Sequence, residues 1–216
     1  MKSKAYLKGC QIKRSFRKRA FDVLFSLAAL IFLSPLFLVI SAIIKATSKG
    51  DIFYRQQRIG RGGAPFTCYK FRTMYPNADQ KLNDLLRKNA SFKSEWEATY
   101  KLKNDPRITP IGKFLRRTSL DELPQFWNVL KGDLSIVGPR PVVEEEIEKH
   151  IKHKAAYILS VKPGITGLWQ VSGRNNTSYR LRVRLDEKYV HKQSLRMDMG
   201  LILRTLPAMI SSRGAY

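Results

Sequence analysis

The sequence predicts an α+β chain: an N-terminal re-entrant membrane helix–break–helix, then a small mixed, mainly helical domain with a short antiparallel hairpin and membrane-surface helices. Three observations predict it. Val23 to Ile44 is an uncharged apolar stretch interrupted by Ser34-Pro35. Asp51 to Thr73 reads as two short strands, DIFYRQQRI and FTCYKFRTM, about Gly60, Gly62 and Gly63. Later segments repeat their apolar residues at helical spacing.

Residues 1–20 form a polybasic arm, with Lys2, Lys4, Lys8, Lys13, Arg14, Arg17, Lys18 and Arg19 and no acidic residue. Residues 21–47 hold the apolar stretch. Val23 to Ile44 as one helix measures about 33 Å, long enough to span a bilayer. Pro35, however, removes a backbone donor and clashes with the preceding turn, so a sharp kink is expected at Ser34-Pro35. Each half is then only about 13–17 Å long. Both flanks are basic, with Lys45, Lys49, Arg55, Arg58 and Arg61 after the stretch. Basic flanks favour both ends on the cytoplasmic side, which is a hairpin entering and leaving one leaflet. A kinked single span and a buried core or signal segment remain alternatives, though no small-residue cleavage pattern follows.

Residues 48–216 form the domain at the cytosolic face. After the strand pair, residues 77–99 place Leu82, Leu85, Leu86, Phe92 and Trp96 near helical spacing, as a helix or helical pair. Further helices are expected from about Leu120 to Leu130 and from Val142 to His153, with turns at Gly132, Gly138-Pro139 and Pro163-Gly164. The tail, SLRMDMGLILRTLPAMI, suits a helix at the membrane surface or packed on the domain.

The 216 residues carry 40 Lys plus Arg against 17 Asp plus Glu, a formal charge of +23. An anionic partner follows: nucleic acid, anionic lipid or a phosphorylated substrate. Cys10 and Cys68 stand apart without a CxxC or Cys/His cluster, which argues against a disulfide framework or structural zinc. His150, His153 and His191 complete no metal-ligand pattern and read as solvated. Neither zinc-finger spacing nor an RNP-like block supports nucleic-acid binding.

The most informative stretch is Arg116 to Asp133, RRTSLDELPQFWNVLKGD. Ser119 and Glu122 have capping-box spacing, and Pro124 suits a first helical turn, so a helix is expected to begin at the paired carboxylates Asp121 and Glu122. The dipole there favours an ionised Asp121, and free N–H groups can receive a phosphate. Neighbours on a helix do not face each other, so two jobs fit better than one: one carboxylate attacks phosphorus while the other holds a divalent metal. Plain helix capping explains the same residues equally simply. What favours chemistry is the cation set of Lys70, Arg72, Arg107, Arg116, Arg117, Arg140 and Arg174, several beside Gly or Pro, where a turn can aim a guanidinium at phosphate.

Taken together, KRAFD, LSP, YRQQRIGRGG, YKFRTM, NDPRIT, IGKFLRRTSLDELPQFWNVLKGDLSIVGPRP, KPGITGLWQVSGRN and LDEKYV resemble the monotopic polyprenyl-phosphate phosphoglycosyl transferases, the bacterial sugar transferase family. The resemblance runs from Lys18 to Thr205. It implies transfer of hexose-1-phosphate from a UDP-sugar to polyprenyl (undecaprenyl) phosphate, initiating surface polysaccharide or glycoconjugate synthesis. By the same resemblance, Asp121 is the nucleophile of a ping-pong reaction that releases UMP, and Glu122 helps bind Mg2+. Arg116, Arg140 and Arg174 match arginines that hold nucleotide or lipid phosphates, Pro139 and Pro141 match the nucleotide-side turn, and Lys70 is a further candidate. The family's helix broken at Ser-Pro matches Ser34 and Pro35. EWEATYKLKNDPRIT and GLWQVSGRN look closest to the galactose-1-phosphate branch, whose larger members carry an additional N-terminal membrane region that this chain is expected to lack. The implied location is the cytoplasmic face of a bacterial inner membrane, with anionic lipid as a partner, no nucleic acid, and a homodimer left open. Two rival classes remain: a membrane-tethered polyanion-binding module without chemistry, and a hydrolase of diphosphate linkages.

Overall fold

The computed structural model describes residues 7–210 apart from 12, 14, 100, 101, 103, 104 and 174–177. Helix α1 spans Phe16–Phe32, begun by Ser15, whose hydroxyl accepts from the Lys18 N–H. Helix α2 spans Ser34–Thr47 with Pro35 in its first turn, and the two meet at Leu33 with a bend of 61°. Proline is tolerated there because first-turn N–H groups have no intrahelical partner. Among the described residues, no single helix is long and apolar enough to cross a membrane; the bent pair passes only together. Leu24, Ile31 and Phe32 on α1 and Leu38 and Val39 on α2 are exposed. A run of apolar side chains left in the open marks a surface that another phase or partner covers.

The other face of α1 is polar where a membrane helix would be apolar, and those groups tie it to the domain. Asp22 and Asp198 are 1% and 0% exposed. The Lys18 ammonium lies 3.4 Å from Asp22 and 2.8 Å from Asp198. Asp22 also accepts from the Ser135 hydroxyl and the Ile136 N–H, and Asp198 from the Tyr189 hydroxyl at 2.8 Å. Arg19 donates to the carbonyls of Val129 and Leu130, satisfying the end of the helix below. Buried charges are tolerated only when paired in this manner.

Strands β1 (Phe53–Ile59) and β2 (Pro65–Phe71) pair antiparallel, from Phe53 opposite Phe71 to Ile59 opposite Pro65. The connecting turn uses Gly62 and Gly63 at φ 68° and 82°, a region that favours glycine. Helices α3 (Ala78–Lys88) and α4 (Ala90–Thr99) form the expected helical pair, with no fully buried residue in α3. Helix α5 (Pro110–Thr118) follows, then a 3-10 turn at Leu120–Glu122 and α6 (Gln125–Lys131).

Two three-residue strands, β3 (Ser135–Val137) and β4 (Gly164–Thr166), pair in parallel. Their close approach requires glycine: a Cβ on Gly164 falls 2.1 Å from the Gly138 nitrogen, and one on Gly138 falls 2.5 Å from the Lys162 carbonyl oxygen. The expected helix from Val142 to His153 is irregular, with α7 confined to Glu144–Glu146, a π-helical turn at Ile147–Ile151 and a 3-10 turn at Lys152–Lys154. Short helices α8 (Ala155–Ile158) and α9 (Leu168–Val171) precede the long α10 (Tyr179–Lys192) and α11 (Leu195–Ile210). The tail helix α11 packs on the domain, with Leu201 in the same core as Val129, Leu134, Val137 and Tyr189. A second core gathers Ile40 and Ile44 of α2 with Phe71, Leu115 and Leu123, so the bent pair and the carboxylate turn share a packed boundary.

Candidate active site

The carboxylates lie in a turn, not at a helix start. Ser119 closes α5 at φ 57° and makes no side-chain cap, which excludes the extended backbone that an N-cap needs. The expected capping box is therefore absent, and Glu122 points elsewhere: Lys70, from β2, donates to its Oε1 at 2.6 Å. The helix-dipole argument for an ionised Asp121 falls with it. Burial instead pushes Asp121 up to about 6, the charge on Glu122 adds to this, and Lys70 and Arg116 pull it back. Glu122, although burial also works against its charge, is held below the usual carboxylate range by Lys70 and Arg140. Two adjacent carboxyls thus differ in character because Lys70 bonds directly to Glu122, while on Asp121 burial outweighs the pull of Lys70 and Arg116.

A narrow cleft opens beside Glu122, with about 10 Å³ of space, room for one water-sized group, and Asp121 is not among the residues that line it. Lys70, Glu122, Arg140 and Pro141 line it. Arg140 lies with its guanidinium 5.5 Å from the Trp169 ring centre. Pro139 supplies the carbonyl that accepts from the Gly164 N–H, fixing the turn that carries Arg140. Arg116 reaches across from α5, donates to the Thr73 hydroxyl at 2.9 Å, and is lowered by burial while Asp121 and Asp105 act in the opposite sense.

The remaining cations of the expected set divide. Arg72 donates to the carbonyls of Ser48 and Lys49, closing the end of α2. Arg107 is locked to Asp105 by two side-chain hydrogen bonds of 2.8 and 2.7 Å. Arg117 is exposed, and Arg174 lies outside the described residues. Ser34 and Pro35 occupy the start of α2, remote in role from the cleft, with the Ser34 hydroxyl donating to Ile31.

The sequence offered Arg58 only as a basic flank of the apolar stretch, Cys68 only as a lone cysteine and Gln170 only within GLWQVSGRN, yet all three line the cleft. Arg58 donates to the Gln56 side chain and to the Pro141 carbonyl, and stands 3.7 Å from Glu146. The buried Cys68 thiol is pushed up by burial. Gln170 has a buried side-chain oxygen without a hydrogen-bond partner, and such an atom is an acceptor awaiting a donor. None of the three has a local spacing signal; only the fold gathers them.

A lysine-held carboxylate and two arginines around one small cleft, with the buried Asp121 next in sequence to Glu122 but outside the lining, suit chemistry on a phosphate. A comparison with protein families matches residues 13–212 to the model described as bacterial sugar transferase. The chain is similar to the exopolysaccharide production protein ExoY of Sinorhizobium fredii (strain NBRC 101917 / NGR234), 49% identical over 199 residues, 92% of this chain and 88% of that relative. It is 48% identical over 207 residues to the undecaprenyl-phosphate galactose phosphotransferase of Salmonella typhimurium, 94% of this chain and 43% of the relative. With the UDP-glucose:undecaprenyl-phosphate glucose-1-phosphate transferase of Escherichia coli (strain K12) it shares 36% over 206 residues, 92% of this chain and 41% of the relative. It spans less than half the length of these last two. On the extent of the match and these identities, the chain belongs to the bacterial sugar transferase family.

Proposed function

We propose that the chain transfers a hexose-1-phosphate from a UDP-sugar to undecaprenyl phosphate, at the cytoplasmic face of a bacterial inner membrane. The observation that carries the reading is the pair of unlike carboxyls: buried Asp121 beside Glu122, which Lys70 holds as an anion. Asp121 is the nucleophile. Its carboxylate oxygen attacks the sugar-bearing phosphorus, the bond from that phosphorus to the bridging oxygen breaks, and UMP leaves with the electron pair. A phosphate oxygen of the polyprenyl phosphate then attacks the same phosphorus, and Asp121 departs as carboxylate. Lys70, Arg140 and Arg116 offset the diphosphate charge, while Pro139 and Pro141 shape the turn that presents Arg140. Arg174 is assigned to the same phosphate set by family resemblance alone. The Gln170 oxygen takes a donor on the sugar nucleotide.

Among the described residues no group of three or more His, Cys, Asp or Glu converges. Mg2+ needs no such cage, being commonly held by one or two carboxylates together with substrate phosphates. Glu122, whose Oε1 accepts from Lys70, would hold the ion, which would supply charge neutralisation to the diphosphate. The α1–α2 bend and its exposed apolar side chains support a re-entrant seat in one leaflet, which brings the cleft to the lipid acceptor. The galactose-named relatives favour UDP-galactose as donor. A panel of UDP-sugars, assayed for UMP release with and without undecaprenyl phosphate, tests the reading. Turnover that depends on the lipid supports transfer; free sugar phosphate formed equally without it identifies a hydrolase.

A further inference from the structure

A second cleft lies apart from the catalytic one, between the irregular Ile147–Lys154 run and α10, with a volume of about 360 Å³. Five of its ten lining residues are Lys or Arg, against about one residue in five along the chain, and two more are histidines. The charge is therefore concentrated there beyond what composition supplies. His150, Lys152, His153, Lys154, Arg180 and Arg184 surround the space, and among the described residues no carboxylate lines it. Glu187 pairs with Lys154 at 2.6 Å, from outside the lining.

The backbone that carries these groups is irregular at two points. A π-helical turn at Ile147–Ile151 replaces regular helix, and turns of this kind recur at functional positions. Lys152 then adopts φ 50° and ψ −126°, an unfavourable conformation for a residue with a side chain. His150 stacks on Tyr179 with ring centres 4.0 Å apart, which fixes one imidazole at the wall. Like charges held around one cleft repel each other, and a bound anion relieves that repulsion.

We propose that this cleft is a second anion site, taking a phosphate-bearing ligand through Lys152, Arg180, Arg184 and the two histidines. Arginine suits phosphate oxygens bidentately, and lysine and histidine add further donors. The proposal is independent of the transfer chemistry, since no residue lines both clefts.

The test is NMR of the full chain in zwitterionic detergent, with histidine side chains labelled, titrated with inorganic pyrophosphate or with phosphatidylglycerol vesicles. His150 and His153 should shift saturably while His191, outside the cleft, stays in place. A response to pyrophosphate identifies a soluble phosphate ligand, and a response only to vesicles identifies a lipid headgroup. Lys152→Glu with Arg184→Glu should weaken the response by about tenfold or more. Lys152→Gln with Arg184→Gln, at an unchanged melting temperature, should weaken it less, which separates lost charge from lost fold. The proposal is overturned if neither probe shifts His150 and His153, if His191 moves equally, or if charge reversal leaves the titration unchanged.

Discussion

Lys70 on β2 sets its ammonium 2.6 Å from Oε1 of Glu122, 52 positions away in sequence. This ion pair is what makes two neighbouring carboxyls unlike. Glu122 is held charged by a fixed cation, whereas Asp121 is raised by burial and by the charge next to it. A fixed anion and a poised one, side by side, are what a metal-assisted attack on a diphosphate asks for.

Replacing Lys70 with Met removes the cation from a largely buried pair. The expected cost is about 1–3 kcal/mol of stability, from a charge left without its donor. Lipid-dependent UMP release should fall by about 10²-fold or more. Adding Glu122→Gln should restore much of the stability and none of the activity, because the uncompensated charge is gone but so is the carboxylate proposed to hold the metal. Thermal unfolding and a UMP assay on the two singles and the double read both effects.

Lys18 compensates two buried carboxylates at once, Asp22 and Asp198. Lys18→Ala should destabilise the fold by about 3–5 kcal/mol, the range for breaking a buried pair by removing one partner. Tyr189→Phe removes a single hydroxyl that donates to Asp198 or the Val137 carbonyl and should cost about 1–2 kcal/mol. Denaturant titration of both variants checks the order.

Asp186 on α10 is pushed up to about 7 by burial, against the pull of Arg182 and Arg140. A carboxyl raised in the folded state binds a proton there that the unfolded chain releases, so stability is lost as pH rises from about 4 to about 7. Asp186→Asn should flatten this slope and leave the variant more stable than the parent at pH 8. The expected gain is on the order of a few kcal/mol, read as melting temperature against pH.

The re-entrant reading places both ends of the bent pair on one side. Single cysteines in place of the exposed Lys8 and Lys49, in a background lacking Cys10 and Cys68, should react with an impermeant reagent only from the cytoplasmic side. Pro35→Ala should let some chains straighten, moving part of the Lys8 position to the opposite side. Labelling of Lys8→Cys from outside with Pro35 intact contradicts the hairpin.

The strand pair and the helix break were legible because their causes are local: alternation about glycines at 60, 62 and 63, and a proline at 35. The carboxylate turn was misread for a related reason. Ser119 and Glu122 carry capping-box spacing, yet Ser119 serves to close α5, a helix signalled by Thr109-Pro110 and by Ile111, Phe114 and Leu115 at helical spacing but left unread in the sequence. Strands β3 and β4 have three residues each and pair across about 30 positions, too short and too distant for any pattern. Arg72 and Arg107 looked equivalent to Arg116 in sequence, but each is already satisfied by a neighbour, a distinction that only packing reveals. Asp22 and Asp198 left a trace: each is the single acidic residue of a largely apolar helix.

The most direct test of Asp121 as covalent nucleophile uses UDP-galactose, or the donor found by the panel, labelled in the phosphate next to the sugar. The donor is incubated with the chain in the absence of lipid acceptor. The account predicts that label attaches to the protein, is discharged by undecaprenyl phosphate, and is absent in Asp121→Asn. Label retained by Asp121→Asn, or lipid-linked product formed by that variant at the parent rate, contradicts it.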